Sequence, residues 1–367
     1  MSDYQHTSQS FAWKANSFKN PADYTIQLDD ADRREILTAV RALPRPNEPQ
    51  AFGKDHFRFG ALSRRLQEAS EQVRAGRGFV VLRGLPVDEG VSIDEFVAAT
   101  WGIGTYFGDP LSQNTNGDLI GHVVDATAVD PTPRMYRSNL ELRPHSDITA
   151  IISLSCWHKS EKGGASVVSS AVTAHDQIRA TRPELLEPLY RGFYYHQVGE
   201  EAPGEPPVTR TRVPLFAVRD GQLSSRYLRS NLAAGHRQLG VPLTEQELEA
   251  LNYFDSVTTA PENRLAFFLE RGDMIVLNNY TVLHARTSFT NFPEPERKRH
   301  LVRLWLDKPG FRNVPPEYNF HEANGVPRRE GKQASLDFKK LYADDPVATG
   351  GVADLKVTDD LAAGTTA

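Results

Sequence analysis

Three residues in this 367-residue chain have the types and spacing of a mononuclear metal site: His145, Asp147 and His284. The tripeptide His145-Ser146-Asp147 immediately precedes the strand-like run ITAIISLS. Residues i and i+2 of a strand face the same way, so the spacing predicts an imidazole and a carboxylate aimed into one cavity. By itself His-x-Asp arises easily by chance, and most of the 11 histidines are expected to be structural or exposed. A second segment adds weight. GDMIVLNN followed by YTVLH reads as a turn, a strand and a second turn ending at His284. Two imidazoles and one carboxylate leave three coordination positions open, which suits Fe(II) oxygen chemistry. Zinc would more usually occupy a closed four-ligand site or a three-ligand hydrolytic one.

The segment RHLVRLWL contributes Arg299 and Arg303, four apart on a predicted strand and therefore on one face. A guanidinium inside a barrel is costly unless it meets an anion, and a carboxylate matches its two-pronged geometry. Two strand-end arginines paired with protein acids would explain the same pattern. Their position after His284 favours an anionic ligand.

Together these pieces resemble the TauD/TfdA family of Fe(II)/2-oxoglutarate dioxygenases. The resemblance runs from about Gly76 to Leu306. It begins at GRGFVVLRGL, passes through His145-x-Asp147 and Gly163-Gly164-Ala165-Ser166, and continues through GDMIVLNN and His284-Ala285-Arg286-Thr287 to the Arg299…Arg303 strand. It implies Fe(II) held by His145, Asp147 and His284, with 2-oxoglutarate and O2 as co-substrates. It also implies that Arg299, assisted by Ser166, holds the distal carboxylate of 2-oxoglutarate, and that Arg303 meets an acidic substrate group. Here the gap from His284 to the arginines carries an additional FPEPE, so spacing alone leaves open which arginine takes the co-substrate. The implied reaction oxidises a small, acidic organic substrate by hydroxylation, desaturation or cyclisation, releasing succinate and CO2. The carboxylate of Asp147 leaves no vacant halide position, which argues against halogenation. From another class, a cupin-type jelly-roll isomerase or hydrolase would keep the triad but need no Arg299.

Other segments carry weaker signals. Asn139, Gln113 and Asn114 are expected near the substrate, Asn139 and Asn114 as substrate-binding residues. Arg286 either touches the site or braces the turn after His284. Phe193, Tyr194 and Tyr195 read as core packing before an aromatic wall. SSRYLRS supplies Arg226, Tyr227 and Arg229, a solvated or lid-like basic patch as readily as a substrate contact. Gly102-Ile103-Gly104 follows a helical pattern with the wrong spacing for a dinucleotide loop. The sequence contains neither a P-loop nor a G-x-S-x-G elbow.

The elements that must position these residues are helical first and mainly strand-like later. Helices are predicted over 29–43, 62–75 and 93–101, with a short strand at GRGFVVLRGLP. From about residue 119, short Val/Ile/Leu/aromatic runs recur between Gly, Pro, Asn and Asp clusters: LIGHVVD, DITAIISLSCWH, ASVVSS, FYYHQV, RVPLFAV, MIVLNN and HLVRLWL. That texture predicts an antiparallel barrel or sandwich. Helices interrupt it at 174–180 and 244–256, the latter opening with a capping-box pattern. The expected architecture is α+β: one domain over 1–345, a double-stranded β-helix (jelly roll) with flanking helices, and a flexible tail over 346–367. A net charge of −5 offers no general attraction to nucleic acid or anionic membrane. The single cysteine, Cys156, excludes an internal disulfide framework and fits a reducing compartment. With no signal-like N-terminus and no apolar run of bilayer length, the expectation is a cytoplasmic enzyme acting on a small molecule, with homo-oligomerisation left open.

Overall fold

The computed structural model describes residues 4–88, 90–128, 134–320 and 325–329. Two sheets form its centre. The larger contains β1 (Thr25–Gln27), β2 (Phe79–Arg83), β3 (Asp109–Leu111), β4 (Ile120–Val124), β6 (Ile151–His158), β12 (Asp273–Asn278) and β15 (His300–Asp307). Its order is β1-β2-β12-β6-β15-β3, with β4 also pairing β15. The smaller sheet runs β11 (Arg264–Phe267), β8 (Ser166–Ser170), β13 (Val282–Arg286), β5 (Leu142–His145). Two short hairpin-like pairs complete the strands described: β9 (Phe216–Arg219) with β10 (Gln222–Ser225), and β7 (Lys162–Gly163) with β14 (Phe289–Thr290).

Side-chain alternation explains why these strands stack as two layers plus helices. Phe79, Val81, Ile152, Cys156, Ile275, Leu277, Leu301 and Trp305 of the large sheet share a core with Val168, Leu265 and Val282 of the small one. The alternate residues Val80, Leu82, Met274, Val276, Val302, Leu304 and Leu306 belong to a second core with the helices. A strand buried on both faces reads as a continuous apolar run, as MIVL does; LVRLWL does so except at Arg303.

Helices α1 (Asp30–Arg41), α2 (Ala61–Arg74) and α3 (Ile93–Gly104) form the N-terminal flank. Asp29 caps α1 by accepting from the Ala31 and Asp32 N–H groups, and Ser92 caps α3 through the Glu95 N–H. The remaining helices are α4 (Ala171–Thr181), α5 (Leu186–Arg191), α6 (Arg229–Leu239) and α7 (Glu245–Thr259). The capping box predicted from Thr244 is present, closed by Glu247.

Two local readings differ. FYYHQV is not a strand; it makes only isolated bridges, Phe193 to Val213 and His196 to Val208. Phe193 and Tyr195 are buried in the helix-facing core, so core packing accounts for them. The segment after SSRY enters α6, which lacks an apolar stripe strong enough to announce itself: the buried face includes Arg229, Ser230 and Asn231. The tail expected over 346–367, and the end of the domain at 345, lie outside the described residues.

Candidate active site

The metal-type residues converge from two adjoining strands and a loop. His145 ends β5 and lies directly opposite His284 of β13. Their ring centroids are 4.2 Å apart. Asp147 is not on a strand, contrary to the simple alternation argument; it lies in the irregular link between β5 and β6. Other contacts aim it. Ser146 donates its N–H to the Tyr227 carbonyl at 2.8 Å and accepts the Tyr227 N–H on Oγ at 3.0 Å. Asn279 accepts the Asp147 N–H at 3.2 Å and donates to the Asp147 carbonyl at 2.8 Å. Arg226 donates to that carbonyl too, from between the rings of Tyr280 and Tyr318. Arg226 is thus a buried brace, not a surface patch.

One ligand-type atom from each of His145, Asp147 and His284 lies within 4.8 Å of the others, and all three residues are buried. His145 Nδ1 donates to the Arg143 carbonyl at 2.8 Å, leaving Nε2 with a lone pair 3.5 Å from Asp147 Oδ1. This contact fixes a tautomer suited to metal binding. Burial would raise the Asp147 pKa, but Arg303, His145 and His284 outweigh it and hold the carboxyl well below the usual carboxylate range. Burial, followed by the neighbouring His145, pushes His284 down to about 3. Asp147 works in the opposite direction and does not overcome them. A charged carboxylate beside two imidazoles is the donor set a divalent cation requires.

Arg299, immediately before β15, and Arg303 within it share the triad's cavity but have different partners. Arg303 donates from Nη1 to Asp147 Oδ2 at 3.1 Å and from Nε to Gln113 Oε1 at 2.8 Å. Its guanidinium lies 4.3 Å from the Tyr136 ring centroid and 5.1 Å from that of Trp305. Arg299 has no carboxylate. Its Nη1 is buried without a hydrogen-bond partner among the described residues, its guanidinium rests 5.0 Å from the Phe289 ring, and burial pulls its pKa down to about 10. Ser166, first residue of β8, lines the same cavity. Beside it Gly164 has φ 74°, and a Cβ there would meet Ser160 Oγ at 2.6 Å and Arg299 Nε at 3.4 Å. Glycine is what lets the chain pass this close to Arg299.

Asn114 and Asn139 are absent from the cavity lining. The Asn114 side chain closes its own turn, accepting the Asn116 N–H at 2.9 Å and donating to Asp118 at 2.8 Å. Asn139 is half-buried in a turn whose carbonyl accepts the Phe289 N–H at 3.1 Å. Gln113 is the residue of that first loop that reaches inward. Arg286 donates to the Ser138 carbonyl at 2.8 Å and to that of Leu140, so it braces the turn as well as lining the cavity. Sequence reasoning missed Trp305, Tyr136, Asn279 and, in the first turn of α6, Ser230 and Asn231; Arg229 beside them also lines the cavity. Trp305 sits two residues beyond Arg303 and so on the same strand face, a signal that was available.

A second group of metal-ligand types, His6, His175 and Asp176, is a clamp. His6 Nδ1 accepts the Ser8 N–H at 3.1 Å, which puts its proton on Nε2, facing Asp176 Oδ1 at 2.8 Å. With Tyr190 2.9 Å from His175 Nε2, both rings are engaged by protein partners.

Residues 39–305 match the model of the taurine catabolism dioxygenase TauD, TfdA family. The chain belongs to this family. It is a 2-oxoglutarate-dependent non-haem iron dioxygenase. Among its relatives, the FR-33289 synthase of Streptomyces rubellomurinus is 31% identical over 319 residues, covering 84% of this chain and 92% of its own. The taurine hydroxylase-like protein SAT17 of Stachybotrys chartarum is 28% identical over 312 residues, 81% of this chain and 78% of its own. The dioxygenase also shares its fold with an asparagine oxygenase solved with Fe(II), 3-hydroxyasparagine and succinate. That pair has a TM-score of 0.60 at 18% identity, over 77% of this chain and 93% of the other. The non-heme iron oxygenase OrfP, solved with Fe and α-ketoglutaric acid, gives a TM-score of 0.56 at 14% identity over the same shares. No described helix of the dioxygenase is long and apolar enough to cross a membrane.

Proposed function

We propose that the dioxygenase binds its iron through His145, Asp147 and His284, anchors the distal carboxylate of 2-oxoglutarate on Arg299 and Ser166, and oxidises a small acidic molecule in the cytoplasm. The observation that carries this reading is the unpartnered, buried guanidinium of Arg299 in the cavity of the triad. A buried cation without an anion costs free energy, and a cavity that keeps one is built for an anionic guest. An isomerase or hydrolase on the same barrel would gain nothing from it.

When bound, iron and 2-oxoglutarate together supply the oxidising power, with succinate and CO2 released. The chain's own residues do the rest. Arg143 orients His145 through its carbonyl, Asn279 and Arg226 hold the backbone of Asp147, and Val123, Ile152 and Leu154 line the cavity with hydrocarbon that limits water. Six arginines and one carboxylate, Asp147, line the cavity, which supports an acidic substrate alongside the co-substrate. Among the family's structural neighbours, asparagine oxygenase and OrfP are solved with hydroxylated amino acids. Hydroxylation of a comparable small metabolite is the reading we adopt.

The test is anaerobic titration of the apoprotein with Fe(II) and then 2-oxoglutarate. A visible charge-transfer absorption is expected with the wild type and absent in His145→Ala and Asp147→Ala. Full absorption in either variant would remove that residue from the ligand set.

A further inference from the structure

The carboxylate of Asp147 is held from its far side. Oδ1 faces His145 Nε2 at 3.5 Å, whereas Oδ2 accepts the indole N–H of Trp305 at 2.7 Å and Arg303 Nη1 at 3.1 Å. Two donors on one oxygen, one of them cationic, leave that oxygen little capacity for a further bond. Both come from β15, a strand paired with β6 on one side and with β3 and β4 on the other. Trp305 is itself only 4% exposed and packed in the core between the sheets. Phenylalanine or leucine would fill that volume without placing a polar N–H in hydrocarbon. An indole is retained there at a cost unless its N–H has a partner, and that partner is Asp147. Arg303 is steadied in turn: its Nε donates to Gln113 Oε1 at 2.8 Å, while Gln113 Nε2 donates to the Arg303 carbonyl at 3.0 Å and to the Leu119 carbonyl at 2.9 Å.

We propose that Trp305, seconded by the Gln113–Arg303 pair, is a positioning residue that locks Asp147 so that only Oδ1 is presented to the metal. The inference rests on the reading of Asp147 as a metal ligand. A carboxylate free to turn could offer both oxygens and occupy a second coordination position. Held at Oδ2 it occupies one, and the opposite face stays open for 2-oxoglutarate and O2. Trp305 therefore acts through Asp147 and governs both metal affinity and the number of open positions.

The experiment uses the full-length apoprotein under anaerobic conditions, with Fe(II) alone and then with 2-oxoglutarate, reading Fe(II) affinity and the position of the charge-transfer band. Trp305→Phe keeps the aromatic volume and deletes the N–H. It is expected to weaken Fe(II) binding by roughly 10- to 100-fold, the range for loss of a group that orients a metal ligand. The charge-transfer band is expected to move, which a merely structural role would not cause. Wild-type affinity with an unmoved band in folded Trp305→Phe overturns the proposal. If Trp305→Phe does not fold, Gln113→Ala decides. A severalfold loss of Fe(II) affinity supports the lock, and wild-type affinity overturns it. Asp147→Ala separates this inference from the reading beneath it. If Asp147→Ala keeps Fe(II), the ligand assignment falls; if it loses Fe(II) while Trp305→Phe does not, only the lock falls.

Discussion

Arg299→Gln perturbs a buried cation in the triad's cavity whose Nη1 has no hydrogen-bond partner among the described residues. Burial lowers the Arg299 pKa from 12.5 to about 10, a measure of how poorly its protein surroundings support its charge. At 1.36 kcal/mol per unit, that difference corresponds to about 3 kcal/mol. A carboxylate bound at Arg299 recovers this cost, and glutamine, being neutral, recovers none of it. Truncating one partner of a desolvated charge pair costs about 2–4 kcal/mol, so KM for 2-oxoglutarate is expected to rise roughly 30- to 1000-fold. The KM for the prime substrate should change little. Succinate release against 2-oxoglutarate concentration gives both numbers. The same substitution removes an uncompensated buried charge, so Arg299→Gln without ligands should be at least as heat-stable as wild type while losing its stabilisation by 2-oxoglutarate. A KM within threefold of wild type, or undiminished stabilisation by 2-oxoglutarate, refutes the assignment.

Further expectations follow from the same geometry. His145→Ala, Asp147→Ala and His284→Ala should each abolish turnover with the fold retained on circular dichroism, and 2-oxoglutarate consumption surviving in any one excludes that residue as a ligand. Asn279→Ala strips the backbone of Asp147 of two buried hydrogen bonds and should cost about 2–3 kcal/mol in urea unfolding; a change below 0.5 kcal/mol, roughly the scale of a surface substitution, would contradict it. Burial, with His122 and His158, pushes His300 down to about 4. Its neutral form is favoured in the folded state, so its contribution is complete above pH 6.5 and lost as pH falls from 6.5 towards 4, where only the unfolded chain takes up the proton. His300→Asn should flatten that acid limb by about 1–2 kcal/mol, allowing for partial exposure; an unchanged limb would assign the loss to other groups.

The large sheet was legible because it rests on strong local signals. The run MIVL is apolar at every position, and LVRLWL at every position but Arg303, as a strand packed on both faces requires. The four-residue spacing of Arg299 and Arg303 was read from strand period, although Arg299 stands just before β15 and the pairing of β15 with β6 shifts register at His300 and Leu301. What the sequence hid was carried by long-range contacts. Asp147 is aimed by Asn279, 132 residues away, and by Arg226, 79 away, so no local pattern could announce its orientation. Helix α6 escaped because its buried face is polar, formed by Arg229, Ser230 and Asn231 turned towards the cavity. Asn114 and Gln113 are adjacent, and only the fold decides that the glutamine reaches Arg303 while the asparagine closes its own turn.

Arg299 and Arg303 began as equivalents, two guanidiniums four residues apart on one strand face, and their surroundings divide them. Arg303 lies opposite the carboxylate of Asp147 and between two aromatic rings, so its charge is largely answered from within the protein. Arg299 lies over Phe289, with no carboxylate partner among the described residues, and burial pushes the neighbouring Cys156 thiol up to about 12, so it carries no negative charge to offer. A protein can tolerate an unanswered buried cation where binding answers it, and that asymmetry supports the proposal of Arg299 as the co-substrate anchor more directly than the strand register does. It also constrains Arg303. A substrate anion at Arg303 must share a guanidinium already engaged with the Asp147 carboxylate, so substrate binding there would be felt at Asp147. Arg303→Lys tests this: a lysine ammonium can meet a substrate anion but cannot span Asp147 and Gln113 at once. If Arg303 serves the substrate alone, the variant should raise the substrate KM and leave Fe(II) affinity untouched. If it serves Asp147 as well, both should weaken together.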